Sequence, residues 1–234
     1  DEVSLQYLVE NVGLPKTTVF RLLSTLESEG FIERCKDGTR YRLGHSVYLL
    51  GLIARDSLTI RTVSLPYMEV LNEQTNETCN LYMLSNYERV CIAQVLTKIP
   101  TREFSKLGER FPIWSGGTGR AILAHLDESL WYEISNDLKQ FTENTLAKPK
   151  EFIDNLKEVR QKGYSISTGE IFSDIVCISA PIFDNTGIVG CISITAPKYR
   201  FPEDKNEYIC LLIDSAKAIS YELGYLSAKA VNTW

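Results

Sequence analysis

Gly13-Leu14-Pro15-Lys16-Thr17-Thr18-Val19-Phe20-Arg21-Leu22-Leu23 joins two helical patterns through a tight turn, and its reading decides the fold. Ahead of it, Leu5, Leu8, Val9 and Val12 recur at helical spacing from Ser4. Gly13 ends that helix in the left-handed conformation that glycine tolerates best. Behind it, Pro15 has the fixed φ and missing N–H that suit the first turn of a second helix running to Gly30. At 100° per residue Val19, Leu22, Leu23 and Leu26 share an inner face, while Thr17, Arg21, Ser24, Thr25 and Ser28 share the outer one. That outer face carries no carboxylate. Hydroxyls and a guanidinium approach phosphates and base edges readily, and a merely polar surface is the plainer alternative.

Working outward, Phe31–Lys36 and Thr39–Leu43 read as two short strands around Asp37-Gly38, a dipeptide favoured in two-residue hairpins. This predicts a β-hairpin wing whose residues 34–42 hold Arg34, Lys36, Arg40 and Arg42 against Asp37, a local charge of +3. Ser46 is placed to cap a further helix in which Val47–Ala54 is apolar on every side, so that helix must bury two faces and is expected to link domains and to contact a partner chain.

From Ile60 a second domain begins, with a helix over Ile60–Glu73 that contains Pro66 and strands near Cys79–Leu84 and Arg89–Val95. A short strand near Arg102–Phe104 follows, with helices near Gly116–Ala124 and Glu151–Lys162. Strands near Val176–Phe183 and Ile188–Thr195 flank the turn Asp184-Asn185-Thr186-Gly187, which makes them antiparallel neighbours, and a long helix follows Pro202. The fold class is α+β.

Composition sets limits on function. The 234 residues are 44% hydrophobic and 24% charged, as in a folded globular chain. The longest apolar stretch, Val47–Ala54, falls far short of the ~20 residues of a membrane-spanning helix, so no membrane partner is expected. Six cysteines without a CxxC pair, with only His45 and His125 beside them, fit neither a disulfide scaffold nor a zinc cluster. A reducing cytoplasm, no metal and no cofactor are the expectation. A net charge of −5 argues against coating nucleic acid by bulk positive charge, though not against local recognition. The chain opens Asp1-Glu2-Val3-Ser4 without a Met and enters a helix at once, which suggests residues upstream.

Helix, Gly13 turn, helix and basic hairpin together look like a winged helix-turn-helix, and the chain resembles the IclR family of bacterial transcriptional regulators over nearly its whole length. The carriers are residues 13–23, Glu29-Gly30-Phe31-Ile32-Glu33-Arg34 and Tyr41-Arg42-Leu43-Gly44 in the first part. In the second they are Ser115-Gly116-Gly117-Thr118-Gly119-Arg120-Ala121, Gly163-Tyr164-Ser165, Cys177-Ile178-Ser179-Ala180-Pro181 and Ser193-Ile194-Thr195. The resemblance implies a winged helix-turn-helix over residues 1–45, lacking the family's first helix, then a linker helix over 46–58. Over 59–234 it implies a GAF-like effector domain with a mainly antiparallel sheet. It also implies a homodimer or homotetramer bound to double-stranded operator DNA.

On that footing Lys16, Thr17, Thr18 and Arg21 are placed as recognition-helix residues are, with Arg21 the foremost base contact, and Lys36 and Arg40 flank the wing tip near phosphates. Gly116, Gly117 and Thr118 open a helix with free N–H groups, an anion site for a small organic acid such as a sugar acid or 2-oxo acid. Without the resemblance, a plain tight turn is the better reading of those glycines. Ser193 and Thr195, two apart on a strand, offer hydroxyls on one face. Cys177 resembles the family's pocket cysteine, and Glu170 is retained from an acidic cluster that Ser167, Thr168, Gly169 and Asp174 otherwise replace. A ligand-responsive regulator, a repressor of a carbon-source catabolic operon with no catalytic residue, is the leading reading. The alternatives are a redox sensor centred on Cys35 between Arg34 and Lys36, and an enzyme with Cys177 or Cys79 as nucleophile.

Overall fold

Ser4 begins the first helix as a hydroxyl ahead of an apolar run does: its Oγ accepts the Tyr7 amide at 3.1 Å over α1 (Leu5–Val12), which Gly13 ends at φ 69°. The structure is a computed structural model that describes residues 2–57, 59–99 and 105–226. The chain divides into two compact units, Asp1–Leu58 and Thr59–Trp234.

In the first unit Pro15 is the N-cap of α2 (Lys16–Ser28) rather than a first-turn residue, and its carbonyl accepts the Thr18 and Val19 amides at 2.9 and 3.0 Å. Val19 and Leu23 are buried with Tyr41, against Leu5, Leu8, Val9 and Ile32. Leu22 and Leu26, expected on the inner face, are 51% and 40% exposed, because α1 and a small sheet cover only one side of the helix. The wing is β2 (Ile32–Arg34) and β3 (Arg40–Leu43), antiparallel with Arg34 opposite Tyr41. A third strand that the sequence did not suggest, β1 (Val3–Ser4), pairs on the other side of β3. The loop is also longer than a two-residue turn. The Cys35 amide donates to the Arg40 carbonyl at 2.8 Å, and Asp37 Oδ1 closes residues 36–39 by accepting the Thr39 and Arg40 amides.

The next helix, α3 (His45–Ser57), starts one residue earlier than a Ser46 cap would allow. Ser46 Oγ instead donates to the Glu29 carbonyl at 2.9 Å, tying the helix to the end of α2. Tyr48, Leu49, Leu50 and Ile53 of α3 are exposed.

In the second unit α4 (Thr59–Thr75), with Pro66 inside it, leads into β4 (Thr78–Ser85), β5 (Glu88–Val95) and β6 (Arg110–Pro112). Three helices follow, α5 (Gly116–Leu123), α6 (Glu128–Ser135) and α7 (Pro149–Lys162), then β7 (Ser165–Thr168), β8 (Ile175–Asp184), β9 (Gly187–Pro197) and α8 (Asn206–Glu222). All pairings in the six-stranded sheet, ordered β6-β5-β4-β9-β8-β7, are antiparallel, and β8 and β9 meet through the turn expected at Asp184. The strand expected near Arg102–Phe104 lies outside the described residues. No helix among those described is long and apolar enough to cross a membrane.

The sheet has two different faces. Leu81, Ile178, Ile182, Ile192 and Ile194 pack with Met68, Leu71, Leu212 and Ile219 of α4 and α8. On the opposite face Tyr82, Cys91 and Cys191 cluster with the α5 residues Ala121–Leu123, with Trp131 of α6 and with Phe152 and Leu156 of α7. A bulge between Leu81 and Tyr82 separates Cys91 from Ala93, which sits in the first cluster.

Close approach of α5 depends on Gly119, where an added Cβ would lie 2.2 Å from the Ile113 carbonyl oxygen. Gly119→Ala is expected to destabilise the protein by about 1–3 kcal/mol in urea unfolding followed by tryptophan fluorescence; an unchanged midpoint would show that the helix shifts freely.

Candidate functional site

The DNA-facing candidates come from α2 and the wing. Lys16, Thr17, Thr18 and Arg21 are all exposed on α2. Among the described residues neither Lys16 nor Arg21 forms an ion pair, and the first turn of α2 holds no acidic residue. Further along the same face Ser24, Thr25 and Ser28 donate their hydroxyls to the Phe20, Arg21 and Thr25 carbonyls, which leaves them only acceptors for an outside group.

The wing is less positive than its sequence count. Arg34 holds Glu27 through Nε and Nη2 at 3.3 and 3.1 Å, Arg42 holds Glu33 at 2.8 Å, and Arg40 holds Asp37 and Glu2 at 2.7 Å each. Within residues 34–42 the carboxylate is Asp37; the others arrive from α2, the opposite strand and the N-terminal segment. Such exposed pairs contribute about 0–1 kcal/mol, so a phosphate can exchange for a carboxylate there. Lys36 is exposed and makes no ion pair among the described residues. The setting also works against a reactive Cys35: burial and the Glu2 carboxylate push its thiol up, the reverse of what a redox sensor needs.

The second candidate site lies against α5. Ser115 leads into the helix with its Oγ donating to the Pro112 carbonyl at 2.9 Å, and Gly116 takes φ 64°. That positive φ favours glycine, and a Cβ there would also push aside the tip of Ile171, whose Cδ1 would lie at 2.8 Å. The first N–H groups of the helix have no carbonyl a turn earlier to bond. They border a pocket of about 440 Å3, mouth included, lined by Gly116, Gly117, Thr118, Glu170, Cys177 and Thr195 together with Tyr82, Arg89, Ser105, Phe111, Ser167, Ile171, Phe172 and Ile175.

Six of the seven residues expected to bind ligand therefore converge. Ser193 does not line the pocket: it is fully buried one row deeper in the sheet, between Asn80 of β4 and Ser179 of β8, with no hydrogen-bond partner for its Oγ among the described residues. Thr195 lies in the row that includes Cys177 and Ser167, and its Oγ1 accepts from Asn80 at 3.3 Å and lies 3.5 Å from Cys177 Sγ. Glu170 lines the pocket, but its carboxylate is taken up by Arg120, whose Nη1 and Nη2 grip both oxygens while Nη2 also donates to the Ile166 carbonyl at 3.0 Å. Their side chains are 7% and 1% exposed, so the charges cancel in a dry setting.

Arg89 was not anticipated. Its side chain is buried beneath the start of α5, where Nε donates to Thr118 Oγ1 at 2.6 Å and Nη1 to the Pro112 carbonyl at 2.5 Å and to Ser115 Oγ at 3.2 Å. The guanidinium lies over the rings of Phe111 and Tyr82, at 5.0 and 5.6 Å from their centroids. Burial disfavours its charge and lowers its pKa. The available signal was a charged residue sharing a strand face with Cys91 in an otherwise apolar run.

Among the described residues no hydrogen bond joins a histidine to Cys79 or Cys177. Cys79 is buried, and burial followed by the Glu77 carboxylate pushes its thiol well above the ordinary range. His125 stacks edge-on against Phe183 and His45 lies beside Tyr48 of α3. No three His, Cys, Asp or Glu side chains among the described residues gather as metal ligands.

The family model for the C-terminal part of the bacterial transcriptional regulator IclR matches residues 53–221, and the model for the IclR helix-turn-helix domain matches residues 1–35. This chain belongs to the IclR family. The HTH-type transcriptional regulator KdgR of Dickeya chrysanthemi is 31% identical over 228 residues, which cover 96% of this chain and 75% of that protein. The HTH-type transcriptional repressor AllR of Escherichia coli K12 is 30% identical over 220 residues, covering 92% and 80%. The crystal structure of the IclR transcriptional regulator from Alicyclobacillus acidocaldarius shares the fold with a TM-score of 0.83 at 28% identity, over 95% of this chain and 91% of that one. The chain is thus a helix-turn-helix transcriptional regulator with the α+β architecture of IclR regulators.

His125 gives this regulator a pH signature. Burial, reinforced by the Arg160 charge, lowers its pKa from 6.5 to about 4, so the unfolded chain binds more protons between those values and stability falls as pH drops through that window. Urea unfolding at pH 7 and pH 4.5 is expected to show a loss on the order of 2 kcal/mol from this group, and His125→Phe to remove that part of the slope; an unaltered slope would place the titration elsewhere.

Proposed function

We propose that this IclR-family protein is a ligand-responsive repressor of a carbon-source catabolic operon. A small organic acid, a sugar acid or 2-oxo acid, binds beside α5 and alters operator affinity. The observation that carries the DNA half is the exposed set Lys16, Thr17, Thr18 and Arg21 at the start of α2, its two cations without an ion pair among the described residues and its first turn free of carboxylates. Arg21 reads a base edge in the major groove, Lys16 and the two threonines fix register on phosphates, and Lys36 and Arg40 touch the backbone from the wing. The pocket that collects Gly116, Gly117, Thr118, Glu170, Cys177 and Thr195 supports the effector half.

Two arrangements of a homodimer or homotetramer, working in the cytoplasm, differ in how well they span two half-sites, and the acid shifts their populations by its differential affinity. The apolar α3 residues Tyr48, Leu49, Leu50 and Ile53 fit burial against a second copy. The repressor role of AllR fits the proposed sign of regulation.

Selection of genomic DNA by the protein at fixed salt, with and without pooled organic acids, tests this reading. A palindromic site whose recovery changes with one acid is the expected result, and no enrichment under any condition would overturn it. On that site Arg21→Ala is expected to cost about 1–3 kcal/mol and relax one base position, whereas Lys36→Ala weakens all sequences alike and lowers the salt slope by about 1. Equal, sequence-independent losses in both variants would contradict the assignment of Arg21.

A further inference from the structure

Arg89 is the one cation lining the pocket that no carboxylate answers among the described residues. Its Nε and Nη1 are spent on Thr118, Pro112 and Ser115, while Nη2 donates to no acceptor among the described residues. Nη2 stands at the glycine end of the pocket, 3.9 Å from where a Cβ on Gly116 would be. The other charges there, Arg120 and Glu170, neutralise one another. Among the described residues, Arg89, Arg120 and Glu170 therefore leave one net positive charge at the pocket, on a side chain held out of bulk water next to the N–H groups that open α5. A buried charge without a partner is costly, and an anion that supplies the partner on binding recovers that cost.

We propose that Arg89 is the specificity-determining residue of the effector site, its Nη2 taking the carboxylate of a small monocarboxylate. This rests on the reading of the pocket as the effector site and narrows the class it accepts. One carboxylate balances the charge. A second would fall among Phe111, Phe172 and Ile175 or beside Glu170, where the guanidinium of Arg120, the one other found there among the described residues, is already engaged through both Nη atoms. The opposite wall of Ser167, Cys177 and Thr195 offers neutral donors and acceptors to a hydroxyl or oxo group instead. Arg89 also fixes the helix start it serves, since its Nε bond holds Thr118, so ligand charge and α5 position are read by one side chain.

The test is calorimetric binding of lactate, pyruvate and benzoate to the whole chain, each beside its primary amide, with malate as the doubly charged counterpart of lactate. At least one monocarboxylate is expected to bind, its amide about 10- to 100-fold more weakly, and malate more weakly than lactate. Arg89→Gln, whose amide still reaches Thr118, is expected to erase the difference between acid and amide while keeping the wild-type circular dichroism spectrum. A crystal structure of the wild type with the bound acid locates the carboxylate independently of any variant, and is expected to place it within hydrogen-bond distance of Nη2. An acid that binds folded Arg89→Gln undiminished, a carboxylate found away from Nη2, or malate binding more tightly than lactate would overturn the role of Arg89 and leave the effector site standing. Amides binding as well as acids, or no acid binding at all, would overturn the effector reading itself.

Discussion

Two buried guanidinium groups, Arg89 below and Arg120 within, tie the glycine-rich helix α5 to the sheet beside the pocket. Arg89 ties the helix start to the end of β6 through Thr118, Ser115 and the Pro112 carbonyl. Arg120 ties it to β7 and the segment after it through the Ile166 carbonyl and Glu170. Thr142 and Thr145 then hold the carbonyls of Gly169 and Glu170 from outside, so the pocket wall is fixed from both sides. Buried arginines of this kind cost desolvation and recover it through directed hydrogen bonds, which gives geometry more than net stability. Glycine at 119 is what lets the helix come close enough for both to reach it.

Charge is used differently in the two units. The wing arginines are exposed and each already has a carboxylate, so their charges can be exchanged for phosphates at little cost. Lys16 and Arg21 on α2 have no such partner among the described residues and present their full charge. In the second unit Arg89, Arg120 and Glu170 are buried, and a guanidinium shielded from water, with no carboxylate partner among the described residues, discriminates more strongly than one in bulk solvent. An acidic chain with a net charge of −5 thus carries local recognition on few residues.

The punctuation of the sequence was the legible part. Gly13, Gly30 and Gly163 all adopt positive φ where helices end, and the strands at Asp184 pair as the turn residues imply. Short elements were missed for a plain reason: the two residues of β1 and three of β6 carry no periodicity. The helix α6 has a cap signal, Asp127 accepting the Ser129 amide at 2.8 Å, but only eight residues. The exposure of Lys16, Thr17, Thr18 and Arg21 was legible from helical spacing, though that of Leu22 and Leu26 was not, and the wing's charge could not be counted, since Glu27 and Glu2 arrive through tertiary contacts. Within the pocket, glycines and the Cys177 and Thr195 positions were legible. Ser193 shares the face of Thr195 yet lies a row too deep, and Arg89 belongs to a strand whose distance from α5 in sequence hides their contact.

The account stands on coupling between the two units, and coupling free energy is reciprocal. The most direct measurement is operator affinity with and without the bound acid, set against acid affinity with and without operator, under one buffer and salt. The account predicts that both change by the same factor, about 5-fold or more. An acid that binds tightly while operator affinity stays constant would contradict it.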